Sequence, residues 1–105
     1  MIFNHITITS SGTDEKTLSA AVAESGKINT IERLLICNTD STDITVNLWL
    51  DDGSNEFELL HLVTVPQGMT LDFLNGVPFQ YAEKYGVLLN LGDAGFTADI
   101  IFNQQ

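Results

Sequence analysis

Cysteine occurs once in the 105 residues, proline twice, histidine twice, and lysine plus arginine only four times. A lone cysteine, Cys37, excludes an intramolecular disulfide and a thiolate metal cage, so the core must hold the fold, and a reducing place of assembly suits it. Lys16, Lys27, Arg33 and Lys84 are scattered among 14 acidic residues, for a formal net charge of -10. They cannot neutralise a phosphate backbone, which excludes nucleic acid as a partner and an anionic membrane surface with it. The longest apolar runs are a few residues, far short of the roughly 20 that span a bilayer. Met1 to Ser10 has no basic n-region, no long apolar stretch and no small-residue cleavage site, so export by a signal peptide is not expected. GxGxxG, P-loop and HExxH patterns are absent too, and with them the usual signatures of dinucleotide, triphosphate and zincin chemistry.

What is present is a chain 44% hydrophobic and 17% charged, which is the composition of a globular domain. Its length fits one domain over residues 1–105, able to bury on the order of two-thirds of its unfolded surface. The clearest local pattern is Ile44 to Asp51, where Ile44, Val46, Leu48 and Leu50 share one parity and Thr45, Asn47, Trp49 and Asp51 the other. That alternation predicts a half-buried β-strand. Asp51-Asp52-Gly53-Ser54-Asn55 predicts a tight hairpin turn, with both Asp52 and Gly53 tolerant of positive φ.

Glu56 to Val65 predicts the returning strand. Phe57, Leu59, His61, Val63 and Val65 fall on one face and Leu60 and Leu62 on the other, a pattern expected of a strand covered on both sides or lining a subunit contact. Val65-Pro66-Gln67-Gly68 reads as a turn with proline second and glycine fourth. Met69 to Leu74 resumes the period of two, Asn75-Gly76 is a further turn, and Val77 to Tyr81 is restricted to an edge by Pro78. Ile28 to Cys37, Tyr85 to Leu91 and Thr97 to Phe102 supply further strands. Leu18 to Gly26 is ambiguous, since its alanines favour a helix but the run is short and Gly26 fits a C-cap or a turn, and it is read as a strand. Ile2 to Thr9 is read as an edge strand or an arm, so residues 1–27 hold an edge strand or a docking arm. Seven or eight short strands without a long helix predict an all-β antiparallel β-sandwich, immunoglobulin-like or jelly-roll.

Few residues offer chemistry. His5 and His61 are far apart and neither sits in a nucleophile motif, so both are read as structural. Cys37, inside Leu34-Leu35-Ile36-Cys37 and far from a cation, is expected to be buried and inert. The acidic loop 51–56, and Asp40 with Asp43, contain hard oxygens that a calcium ion would use, but no 12-residue ligand frame; solvated turns explain the same residues. Trp49 stands apart, because its parity puts a large aromatic on the polar face. It is expected to anchor a protein contact or to lie under another segment, with sugar stacking a third reading. No catalytic residue, metal ligand or cofactor is assigned. Trp49, Phe57, His61, Phe73 and Phe79 are the candidate interface residues.

Three segments, Ile36-Cys37-Asn38-Thr39 with its spacer to Asp43, Thr45 to Leu50, and Val65-Pro66-Gln67-Gly68-Met69-Thr70-Leu71, together resemble small β-sandwich structural proteins of tailed-bacteriophage virions. The resemblance runs from about Ile28 onward and is weaker before it. It implies a non-enzymatic virion protein that acts by protein-protein contact, as capsid cement or decoration, or as a neck or tail component. It further implies synthesis in the host cytoplasm, residence in the virion, and as partners the major capsid, neck or tail protein. A homo-oligomer, such as a trimer on a capsid, follows from the resemblance and from the prevalence of closed symmetry. A carbohydrate-binding or host-recognition module is the alternative.

Overall fold

A computed structural model describes residues 2–9 and 13–104. Met1 and Ser10, the ends of the segment read for a leader, lie outside the described residues, as do Ser11, Gly12 and Gln105. The chain forms β1 (Ile2–Ile8), β2 (Lys16–Ser19), β3 (Ile28–Asn38), β4 (Ile44–Asp51), β5 (Glu56–Val65), β6 (Thr70–Asp72), β7 (Phe79–Ala82), β8 (Gly86–Leu91) and β9 (Ala98–Gln104). All pairings are antiparallel. One sheet runs β1-β9-β3-β6, with β7 also on β3, and the other runs β2-β8-β4-β5.

The expected β-sandwich is therefore present, and its pairing decides between the two topologies. β1 pairs with β9, β2 with β8, β3 with β6 and β7, and β4 with β5. The chain is one long nested hairpin rolled across two sheets, which is the jelly-roll arrangement; an immunoglobulin sandwich would pair its first strand with its second. Among the described residues the strands number nine, not seven or eight. β6 pairs with Leu35 to Cys37 and β7 with Ile28 to Ile31, so two short strands occupy one lane beside β3. Between them Val77 N–H donates to the Leu74 carbonyl at 3.0 Å, around Asn75 and Gly76 at φ 50 and 84. Both positive values match the turn expected of Asn-Gly.

Alternation explains the core. Ile8, Leu34, Ile36, Ile100 and Phe102 of the first sheet join Ile44, Val46, Leu48, Val87, Leu89 and Leu91 of the second in one cluster closed to solvent. Each such side chain contributes roughly 1.5–3 kcal/mol by leaving water. At one end, the Tyr81 hydroxyl donates to Ser19 Oγ at 2.9 Å and accepts from Gln104 Nε2, tying β2, β7 and β9 together.

Asn38, 4% exposed at the end of β3, fastens the other end. Its Nδ2 donates to the carbonyls of Thr42 and Val65, each at 2.9 Å, and its Oδ1 accepts the Asp40 N–H at 2.8 Å. One buried amide thus fixes the β3–β4 connection and the last residue of β5. Cys37, expected to be buried, is half-buried instead. Leu34 and Ile36 take the inward positions of β3, so the alternation turns Cys37 outward, across from Thr70 and Asp99.

Three turns differ in detail from expectation. The proline turn is shifted by one residue: Met69 N–H donates to the Pro66 carbonyl at 3.1 Å and Gly68 sits third, at φ 75. That is the position at which a type II turn requires positive φ. In the turn between β4 and β5 only Gly53 has positive φ, at 94. Asp52 acts through its carboxylate, whose Oδ1 accepts the N–H groups of Ser54 at 2.9 Å and Asn55 at 2.7 Å. The Leu18 to Gly26 segment is strand only as far as Ser19.

Candidate functional site

The outer face of the sheet β2-β8-β4-β5 carries the residues that the core does not use. Because Ile44, Val46 and Leu48 point inward, Asn47, Trp49 and Asp51 point out of β4, and Asn90 lies across from Asn47 and Leu88 across from Trp49 on β8. The Asn47 Nδ2 donates to Asn90 Oδ1 at 2.9 Å, and Asn90 Nδ2 donates to the Thr13 carbonyl at 3.1 Å. This amide chain holds the segment before β2 against the sheet.

β5 reaches the same face through two irregularities. Val46 pairs with Val63, Leu48 with Leu60 and Trp49 with Glu58, so β5 inserts an extra residue in each of two successive steps. Leu62 takes φ 50 at the first of these, and its N–H donates to Asn47 Oδ1 at 2.8 Å in place of a ladder carbonyl. Such bulges bend an edge strand and redirect its side chains. The single-parity reading of β5 is thereby corrected. Leu59 and Leu60, neighbours in sequence, both pack against the core, while Leu62 is exposed. Nor is β5 covered on both faces, since Glu56, Phe57, Glu58, His61, Leu62 and Thr64 are exposed.

The bulged strand and the amide pair frame an open hollow of about 250 Å³, lined by Glu15, Asn47, Trp49, Glu56, Glu58, His61, Leu62 and Asn90. Neither lysine nor arginine is among these residues. Glu58 Oε2 lies 2.8 Å from His61 Nδ1 on the same strand. A second hollow, of about 270 Å³, lies along the same face over Thr17, Ala20, Ala21, Asp51, Gly53, Gly86 and Leu88.

The five candidate interface residues separate here. Trp49 and His61 meet at the first hollow, but Trp49 is not the exposed anchor that its parity implied, being only 6% exposed. Its cross-strand neighbours are Glu58 and Leu88, and its Nε1–H is buried without an acceptor among the described residues. Phe57 is exposed and meets Tyr85 edge to face, 5.9 Å between ring centres. Phe73 and Phe79 are half-buried against the core, Phe79 stacked on Tyr81. Glu58, Asn47 and Asn90 were not singled out from sequence, and Glu56 only as a member of the acidic loop 51–56. The one signal for Asn47 was its outward parity on β4.

Elsewhere the chemistry is structural. His5 on β1 is 3.8 Å from Asp99 and belongs to the other sheet, so the imidazoles do not converge on a hydroxyl. In the acidic loop, Asp51 Oδ1 accepts the Gly53 N–H at 2.7 Å. The Asn55 and Ser54 N–H groups hold the Asp52 carboxyl below the ordinary 3.8. Asp40 Oδ2 accepts the Thr42 hydroxyl at 2.6 Å, and Asp43 Oδ1 the Gln67 N–H at 2.9 Å. These acids serve turns. Among the described residues no group of three or more His, Cys, Asp or Glu side chains is placed to hold a metal ion.

The sequence matches no protein-family model and no curated protein. The fold is similar to that of the Drosophila NLP core, a crystal structure presented as giving insight into pentamer formation and histone binding. The two are 12% identical, with a TM-score of 0.59, over 98% of this chain and 97% of that one. At that identity the likeness concerns the fold.

Proposed function

We propose that this chain is a non-enzymatic structural protein of a phage virion that works by protein-protein contact. Capsid cement or decoration is the leading role, and a neck or tail component the alternative. The observation that carries the docking part is the edge strand β5, on which the large apolar side chains of Phe57 and Leu62 are exposed. Apolar side chains left open along a sheet edge are what a protein partner covers.

The virion part is supported by the resemblance of residues 36–50 and 65–71, and by analogy with capsid domains, which often use jelly rolls. The partners on this reading are the major capsid, neck or tail protein and further copies of the chain in a closed oligomer, with a trimer on the capsid. A charge of -10 keeps such a protein soluble after synthesis in the host cytoplasm and before it reaches the virion. A sugar-binding module is served less well, because Trp49 at 6% exposure offers a pyranose little face for stacking.

The test is sedimentation of the purified protein with expanded capsids and, separately, with tails, alongside light scattering of the protein alone. Saturable co-sedimentation of an oligomer is expected. A strict monomer that sediments with neither particle overturns the reading, and a glycan-array signal accompanied by a change in Trp49 fluorescence transfers it to carbohydrate.

A further inference from the structure

Asn75 and Gly76 form the turn that joins β6 to β7 along β3, and both are exposed. Three conditions for a reaction within the chain meet there. The Gly76 N–H has no protein acceptor among the described residues: the turn closes through Val77 N–H on the Leu74 carbonyl, and Asp72 Oδ1 accepts the Asn75 N–H at 3.1 Å. Gly76 carries no Cβ to keep its nitrogen from the neighbouring side chain. The turn also stands clear of the fold, since even a Cβ built on Gly76 would meet nothing within 4 Å. A nitrogen held next to an amide carbon in this way reacts as an intramolecular nucleophile.

We propose that Asn75 is a self-modification site, at which the chain converts its own side-chain amide to aspartate and isoaspartate without an enzyme. Hydroxide from solvent removes the Gly76 amide proton, and the nitrogen forms a bond to Asn75 Cγ. The Cγ–Nδ2 bond breaks, and Nδ2 takes a proton from water and leaves as ammonia. Water then opens the resulting five-membered imide. Opening at Cγ gives aspartate; opening at the main-chain carbonyl carbon gives isoaspartate, whose backbone runs through Cβ and Cγ and is one carbon longer.

The fold withholds the same chemistry elsewhere. In the Asp52-Gly53 pair, Asp51 Oδ1 accepts the Gly53 N–H at 2.7 Å, and the Ser54 and Asn55 N–H groups hold the Asp52 carboxylate. Asn38 and Asn103 are buried, and the Asn47 and Asn90 amides are bonded to each other. Asn29 lies in β3 opposite Tyr81 and precedes the branched Thr30, while Asn55 precedes Glu56. Conversion at Asn75 has a structural consequence, because it puts a new carboxylate beside Asp72, and like charges repel. The isoaspartyl form also lengthens the turn that fits β6 and β7 into one lane on β3. Both changes loosen that corner of the sandwich.

The test keeps the whole protein in mildly alkaline buffer, folded and in parallel in urea, and follows its peptides by mass spectrometry in heavy-oxygen water. In ordinary water the peptide holding Asn75 is expected to gain about 1 Da, as ammonia is lost and water added. In the labelled buffer that peptide takes up heavy oxygen. A site that reacted only after global unfolding would be slowed by the unfolding constant, about a thousandfold or more; conversion in the folded protein is instead expected within about tenfold of the urea rate. A greater slowing, or conversion at Asn55 or Asp52 ahead of Asn75, overturns the proposal. Asn75→Gln, whose amide would need a six-membered ring, should abolish the gain, and persistence of the gain in that peptide overturns it too. Amides of Thr70 to Asp72 and Phe79 to Ala82 should exchange with deuterium faster in the aged protein than in fresh protein. Asn75→Asp, which adds the charge without the longer backbone, should fall between them. Exchange identical in aged and fresh protein removes the loosening of the corner.

Discussion

Replacing Asn38 by alanine removes a single side chain that three segments share. The Val65 carbonyl that accepts its Nδ2 is buried, so losing that donor strands an acceptor away from water and costs about 1–3 kcal/mol. The bonds to Thr42 and Asp40 are half-buried and water can replace them in part, adding about 0.5 kcal/mol each. The total is about 2–4 kcal/mol. With a urea slope of about 1–1.5 kcal/mol/M for a domain of this length, the midpoint should fall by about 1.3–4 M at unchanged slope. Trp49 fluorescence and far-ultraviolet circular dichroism during urea unfolding both read it. Asn38→Asp should be no better, since it keeps the acceptor for Asp40 but turns a carboxylate toward two carbonyls. A loss under about 0.5 kcal/mol for Asn38→Ala would refute the claim that this amide fastens the β3–β4 connection to β5.

Other substitutions probe the remaining joints. A Cβ on Gly92 would collide with Thr45 Oγ1 and stand 3.2 Å from Thr45 Cβ. Gly92→Ala should therefore lower stability by about 1–3 kcal/mol in thermal unfolding, with part recovered by adding Thr45→Ala. Trp49→Ala should cost about 3 kcal/mol or more, so urea unfolding followed by circular dichroism should show a destabilised fold and not merely an altered surface. The folded pKa of Asp52 lies below 3.8, so the stability it contributes is present above the unfolded value and is lost as pH falls through the lowered one. A carboxyl titration by nuclear magnetic resonance should place its midpoint below 3.8, and a midpoint at or above that value would remove the assigned role of the Ser54 and Asn55 N–H groups.

The strands were legible wherever one face is core and the other is not. Ile44 to Asp51 alternates cleanly because β4 lies inside its sheet with its inward side sealed, and β8 and β9 read as easily for the same reason. β5 misled for a physical cause: each bulge resets the parity, and nothing in Leu59-Leu60-His61-Leu62 marks an inserted residue. Leu62 at φ 50 uses a conformation that sequence rules assign to glycine or asparagine. The jelly-roll order was illegible because it depends on β1 pairing with β9, more than 90 residues away along the chain for Ile2 and Gln104. The site was half legible. Trp49 announced itself by parity, but the hollow needs Glu15 from before β2 and Asn90 from β8, which only the pairing of sheets brings together.

A density map of the protein bound to its particle tests the central claim most directly, because it shows which side of the sandwich makes the contact. The outer face of β2-β8-β4-β5 should lie against the particle, with Phe57, His61 and Leu62 covered. Attachment through the opposite sheet β1-β9-β3, with those side chains open to solvent, would contradict it.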